Sequence, residues 1–317
     1  MGRVAAIDCG TNSIRLLVAD VTVKDDGTRD LRDVHREMRI VRLGQGVDAT
    51  GRLAEEALER TRAALADYAA ICRRKGVERV RMVATSATRD ASNREDFFAM
   101  VREILGIDAE VITGDEEARL SFTGAVGDLD PDDGPFVVTD VGGGSTELVV
   151  GTWDGARADI QAAYSADIGC VRLTERCLHS DPPTEDEVRD AIAVARGILD
   201  DAFAAVDSSG ARTWVGVAGT VTTLSGIAQN LPEYDSRAIH LSQISQKKFE
   251  QTADELLSMT HDERAAIGSL HPGRVDVISG GALVVKVLAD ELSERAGIDC
   301  ITVSEHDILD GIALSIS

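Results

Sequence analysis

The chain has 317 residues, 44% hydrophobic, 28% charged and only 3% aromatic, which is a globular composition, about two domains in length, with aliphatic rather than aromatic cores. Its five cysteines are scattered and never spaced as Cys-x-x-Cys, and no apolar run approaches the roughly 18 residues of a membrane span. Disulfide frameworks, structural zinc sites and membrane insertion are therefore not expected, and the cytoplasm is. A net charge of −22 repels nucleic acid, and any other polyanion too unless a local patch of cations and backbone N–H groups overrides it.

In chain order, an apolar run over 4–7 predicts a strand, then a glycine-containing turn opening at Asp8, then a second strand. The stretch 54–75 predicts a helix, with Leu58, Leu65, Tyr68 and Cys72 on one face at 3.6-residue spacing. A strand over 80–84 follows, then a helix over 94–105 stopped by Gly106, with Ser92 or Asn93 as its cap. A strand over 109–112 leads to a helix opened by a capping box, Thr113-x-x-Glu116. The segment 127–135 holds two Pro, two Gly and four Asp, and is the expected inter-domain boundary.

The second half repeats the theme. An apolar run over 136–138 precedes another glycine turn opening at Asp140, and Thr184-x-x-Glu187 opens a long helix to about residue 206. A strand over 215–217 runs into Gly219 and Thr220; a helix over 275–296, a strand over 300–303 and a short terminal helix complete the chain. Gly280 and Gly281 lie inside the apolar pattern of that late helix and imply close packing on a neighbour.

The most informative feature is an internal echo. Residues 8–18 and 140–150 both read Asp-x-Gly-x-x-Ser-x-x-Leu-x-Val, at an offset of 132 positions. Two copies of one supersecondary unit are the natural reading. Glycine turns between strands expose backbone N–H groups in a nest that suits phosphate oxygens. The candidate phosphate binders are Gly10, Thr11, Asn12 and Ser13 in the first turn, and Gly142, Gly143, Gly144 and Ser145 in the second. A carboxylate beside such a nest works through a divalent cation, most often Mg²⁺, which makes Asp8, Asp140 and Glu147 the candidate metal ligands. The echo puts Arg15, a phosphate-pairing guanidinium, where the second copy has Glu147. No Walker lysine, His-Glu-x-x-His or Gly-x-Ser-x-Gly occurs, and the six histidines are dispersed.

At these turns the chain resembles the exopolyphosphatase/guanosine-pentaphosphate phosphohydrolase family. Residues 6–15 look like its first phosphate motif and 140–147 like its second. Residues 84–93, Ala-Thr-Ser-Ala-Thr-Arg-Asp-Ala-Ser-Asn, are similar to its Ala-Thr-Ser-Ala-x-Arg stretch, and 113–120 to its catalytic-glutamate segment; 216–223 match its later Gly-Thr motif. The resemblance implies an α/β fold of two tandem actin/sugar-kinase/heat-shock-protein ATPase-like (ribonuclease H-like) domains with a cleft between them. Domain I would be 1–126 plus the terminal helix 305–317, and domain II 127–304.

It further implies metal-assisted hydrolysis of terminal phosphate from inorganic polyphosphate. Glu117 would be the general base for in-line attack of water, with Glu116 in the structural capping role. Arg89 would be a phosphate clamp, and Gly219 and Thr220 further donors. Guanosine pentaphosphate at the same site is the alternative substrate, which the scarcity of stacking aromatics disfavours. A phosphotransferase and a non-catalytic actin-like scaffold are the more distant readings, and Glu117 argues against both. Against the family's longer members, C-terminal helical extensions are not expected, the 303–311 segment is more acidic than the family's, and a homodimer is the expected assembly.

Overall fold

A computed structural model of the chain describes residues 2–25 and 27–316. The chain forms two compact units. Unit 1 runs to Gly127 and takes the chain back from Ile308; unit 2 is Asp128–Asp307. The sequence reading put these exchanges at 126/127 and 304/305. Residues 305–306 stay with unit 2 because side chains hold them there: Tyr234 Oη donates to Glu305 Oε1 at 2.6 Å, Glu305 N–H donates to His240 Nδ1 at 3.2 Å, and His306 Nδ1 is 2.6 Å from Asp128 Oδ2.

Unit 1 contains β1 (Gly2–Cys9), β2 (Ser13–Val23), β3 (Arg29–Ile40), α1 (Val47–Thr50), α2 (Glu55–Lys75), β4 (Arg79–Ala84), α3 (Ser86–Asp90), α4 (Arg94–Leu105), β5 (Glu110–Val111) and α5 (Gly114–Ala125). Unit 2 contains β6 (Phe136–Val141), β7 (Thr146–Trp153), β8 (Ala158–Ala166), α6 (Cys170–Cys177), α7 (Glu185–Ala205), β9 (Thr213–Val217), α8 (Ala218–Ala228), α9 (Ser236–Ile239), β10 (Gln243–Ser245), α10 (Gln246–Ser258), α11 (His261–Ala265), α12 (Ile278–Ala296) and β11 (Cys300–Val303). The returning segment of unit 1 is α13 (Ile308–Ser315).

The sheet of unit 1 has the order β3-β2-β1-β4-β5, with the first two pairings antiparallel and the last two parallel. In unit 2 the order β8-β7-β6-β9-β11 repeats it with the same directions, and β10 adds an antiparallel edge strand. The sequence echo is thus the visible part of a topological repeat. The central strand β1 is a near-continuous apolar run because both its faces are covered. Ala5, Ile7 and Cys9 face a cluster with Leu65, Tyr68 and Phe97 of α2 and α4, while Val4 and Ala6 face Ile308, Ile312 and Ala313 of α13.

Unit 2 has one large cluster centred on α12, whose residues are buried almost all round. The two glycines of α12 act within the chain. A Cβ on Gly280 would lie 2.3 Å from Thr174 Oγ1 of α6, and one on Gly281 would lie 2.5 Å from Thr220 Cγ2 of α8. The polar atoms of two fully buried aromatics find partners: Tyr68 Oη donates to Ile14 O at 3.0 Å and Trp214 Nε1 to Thr139 Oγ1 at 2.8 Å. Among the described residues no helix is long and apolar enough to cross a membrane.

Candidate active site

The two glycine turns close with the same hydrogen bond. Gly10 N–H donates to Ser13 O at 3.0 Å, and Gly142 N–H donates to Ser145 O at 3.0 Å. These amides close the turns, so Gly10 and Gly142 contribute shape rather than the phosphate donors expected of them. The same registers place Asp8 opposite Arg15 and Asp140 opposite Glu147. Directly opposed residues share one face of a sheet, and the one charge-changing difference between the echoes, Arg15 against Glu147, therefore sets the charge of each turn.

In unit 1 the opposed pair is an ion pair: Arg15 Nε and Nη2 donate to Asp8 Oδ2 at 3.0 and 2.7 Å. The turn is seated by Thr11, whose Oγ1 lies 2.8 Å from Ser86 Oγ, and by Asn12, whose carbonyl accepts from Val41 and Arg42. Asn12 Nδ2 is buried and, among the described residues, donates to no protein acceptor. A buried amide donor left in this way is costly unless an oxygen comes to it, which fits a turn shaped for an oxyanion.

Arg89 lies in the last turn of α3, a short helix that the sequence analysis did not place. Its Nη1 donates to Ile112 O at 3.0 Å and to Glu117 Oε2 at 3.1 Å. A free bidentate clamp is therefore not what stands here; the edge of the guanidinium not used in these two bonds is Nε–Nη2. Glu117 lies in the first turn of α5 and is only 7% exposed. Through Ser86 and Arg89, α3 ties the Asp8–Arg15 turn to the Glu117 carboxylate. Glu116 does not close a capping box. Thr113 Oγ1 does accept from Glu116 N, but the Glu116 carboxylate is drawn 2.6 Å from Arg81 Nη2 instead.

In unit 2 Asp140 and Glu147 are both buried, 6% and 1% exposed, and Glu147 Oε1 accepts from Ser165 Oγ at 2.7 Å. Two carboxylates opposed on one sheet face disfavour each other, and their oxygen-only donor set suits a hard divalent cation such as Mg²⁺. Asp8 fits that role less well, because its Oδ2 already serves Arg15 twice. The second turn is pinned from behind by the start of α6: Cys170 N–H donates to Gly142 O, and Val171 and Arg172 N–H to Gly143 O, at 2.9–3.1 Å.

Gly219 and Thr220 are not in a loop but in the first turn of α8, entered through Ala218 at φ 67. A non-glycine residue in that region is strained and marks a constrained site. Sequence reasoning missed Arg274. Its guanidinium presses on Gly219 so closely that a Cβ there would lie 1.9 Å from Nη2. Its only signal was one arginine 55 positions downstream of the Gly-Thr pair.

Comparison with known proteins agrees with this arrangement. The chain is 60% identical, over 99% of its length and 98% of the relative's, to Exopolyphosphatase 2 of Mycobacterium tuberculosis. The crystal structure of an exopolyphosphatase-like protein, 45% identical, superposes with a TM-score of 0.93 over 99% of this chain and 98% of that one. That of the Aquifex aeolicus Ppx/GppA family member, 33% identical, gives 0.79 over 99% and 97%. At 12% identity, a nucleoside triphosphate hydrolase of Neospora caninum gives 0.51 over 99% of this chain and 92% of that one and shows likeness of fold alone. The sequence model of the Ppx/GppA phosphatase family matches residues 21–316, and with relatives this similar along the whole chain the protein belongs to that family.

Proposed function

We propose that this protein is an exopolyphosphatase, which hydrolyses the terminal phosphoanhydride bond of inorganic polyphosphate. The observation that carries the activity is the 60% identity, end to end, with the mycobacterial protein called Exopolyphosphatase 2. Nothing in that likeness favours guanosine pentaphosphate.

The geometry supports the residue roles. Glu117 is buried, oriented by Arg89 and tied to the first turn, so it can take a proton from a water at a fixed position. The water oxygen forms a bond to the terminal phosphorus as the bridging P–O bond breaks, and the shortened chain leaves with the bridging oxygen. Phosphate oxygens are received in unit 1 by Asn12 Nδ2 and the amides of Thr11–Ser13, with Arg15 and Arg89 supplying positive charge. In unit 2, Gly143, Gly144 and Ser145, and the α8 start at Gly219–Thr220 beside Arg274, serve the same purpose. Asp140 and Glu147 would hold Mg²⁺, which when bound neutralises phosphate charge. Catalysis in such a site is positioning and charge compensation rather than covalent chemistry.

The test is Glu117→Gln. The amide oxygen still accepts from Arg89, so thermal stability stays near wild type. Phosphate release from polyphosphate falls 10²–10⁴-fold, about 3–5 kcal/mol of barrier. Turnover within about threefold of wild type would remove Glu117 from the reaction, and faster release from guanosine pentaphosphate than from polyphosphate would overturn the substrate.

A further inference from the structure

The fold brings together three groups that no part of the proposed chemistry uses. His240 and His306 are far apart in sequence, yet their ring centroids are 4.8 Å apart. His240 Nε2 lies 3.3 Å and His306 Nδ1 2.6 Å from one oxygen, Asp128 Oδ2. A nitrogen of each ring and a carboxylate oxygen all fall within 4.8 Å of one another. We propose that Asp128, His240 and His306 bind a borderline divalent cation, Zn²⁺ in the first place.

The donor set argues for this class of ion. Two imidazoles and one carboxylate select zinc and its neighbours over Mg²⁺, which asks for oxygen throughout. Ligand bonds of about 2.0–2.1 Å in tetrahedral geometry put neighbouring ligand atoms about 3.3 Å apart. The Asp128–His240 pair already has that spacing, and the His306–Asp128 pair has to open by about 0.7 Å. The side chains are 25–46% exposed, so they can make that adjustment, and their solvent side leaves a position for water.

The protons balance as follows. Glu305 N–H donates to His240 Nδ1, so the ring proton now sits on Nε2 and is given to Asp128. On binding, the ion takes the Nε2 lone pair of His240 and the Nδ1 lone pair of His306; the His240 proton moves to Nδ1 at the cost of the hydrogen bond from Glu305 N–H, and the His306 proton, now between Nδ1 and Asp128 Oδ2, moves to Nε2. The place in the fold gives the site a consequence. Asp128 is the first residue of unit 2 and His306 the last but one. An ion held by both closes nearly the whole of unit 2 into a loop, the case in which a metal clip restricts the unfolded chain most.

The experiment uses the chelator-treated full-length protein, titrated with Zn²⁺ alone by calorimetry and with Co²⁺ as a visible-absorption probe. Wild type is expected to take up one equivalent, to show a tetrahedral Co²⁺ spectrum, and to gain Tm on saturation. His306→Gln and Asp128→Asn, each checked for its fold by circular dichroism, are expected to bind about 100-fold more weakly or worse, since even residues behind a metal ligand are worth 10–100-fold. One-equivalent binding of equal strength in wild type and both variants would overturn the proposal. So would the lack of any one-equivalent uptake by wild type, or equal displacement by Mg²⁺. None of these results bears on Glu117 or on polyphosphate hydrolysis, which is assayed separately.

Discussion

Gly169→Ala isolates the contribution of the second turn. Gly169 sits at φ −158 and ψ 177, extended backbone open to any residue, so the substitution adds no backbone strain. The cost is contact. A Cβ there would lie 2.6 Å from both C and O of Gly143 and 2.7 Å from Gly142 O. All three are main-chain atoms with no rotamer to move. Reaching an ordinary separation of about 3.4 Å means the turn retreats by about 0.7–0.8 Å, against the bonds from Cys170, Val171 and Arg172 that seat it. Overpacking of this kind costs about 1–3 kcal/mol, or about 2–12 °C in Tm for a unit of this size. A displacement approaching 1 Å at a reacting group costs up to about 100-fold in rate. The assay is phosphate release from polyphosphate beside a thermal melt. Gly197→Ala is the control, since no atom outside its own helix lies within 4 Å of that Cβ in α7, and a helix-interior Gly→Ala change should stabilise by about 0.5–1 kcal/mol without touching activity. If Gly169→Ala keeps wild-type turnover and Tm, the turn is not positioned by that contact, and the argument from α6 fails.

Gly311→Ala tests the return of the chain to unit 1. Its Cβ would lie 2.0 Å from Leu120 O and 2.7 Å from Leu120 C, so α13 must move off α5; a loss of at least about 1–3 kcal/mol in the melt is expected, together with slower turnover because α5 carries Glu117, and an unchanged melt would count against that packing. Glu187→Gln tests the capping box of α7. Main-chain N–H of Thr184 first, then that of His179 and the Ser180 hydroxyl, hold the Glu187 carboxyl at about 2, below its usual 4.5. A depressed carboxyl stabilises the fold fully above about pH 4.5, and the benefit disappears as pH falls toward 2. The Tm gap between wild type and variant should therefore be widest near pH 7 and close between about pH 5 and 2, and a gap that persists at pH 2 would refute the assignment.

What could be read from the sequence was what repeats locally. The echo at 8–18 and 140–150 exposed both central hairpins because both obey the same pleat and the same turn, and the Leu65, Tyr68 and Cys72 stripe exposed α2. Elements without a period stayed hidden. Strand β3 reads Arg-Asp-Leu-Arg-Asp-Val-His-Arg-Glu-Met-Arg-Ile; as an edge strand it carries charge on both faces, a common defence against edge-to-edge pairing. Helix α8 is buried nearly all round and has no side-chain cap, so it offered neither an amphipathic face nor a start signal. Pairings between distant segments were also out of reach. Arg81 outcompetes the Thr113 cap for Glu116 across 35 positions, and His240 meets His306 only because β11 brings the chain back beside the end of α9.

The net charge of −22 looked like the main obstacle to a polyanionic substrate, and its distribution changes that judgement. Unit 1 carries 20 Lys and Arg against 23 Asp and Glu, net −3, while unit 2 carries 13 against 32, net −19. The acids of unit 2 include exposed groups such as Glu185 and Asp186 at the start of α7, whose field is screened within about 8 Å at physiological salt. The local balance decides. In unit 1 the charges of Asp8 and Arg15 cancel as a pair, and those of Arg89 and Glu117 cancel as another. In unit 2 Asp140 and Glu147 together contribute −2, of which Arg274 beside Gly219 offsets one. The proposed binding residues are therefore neutral in sum in unit 1 and net negative in unit 2, where side chains alone do not favour phosphate. A divalent cation at the Asp140–Glu147 pair would offset that charge, so on the proposed reading a chelator should slow phosphate release from polyphosphate, and release unchanged by chelation would refute that role for the pair.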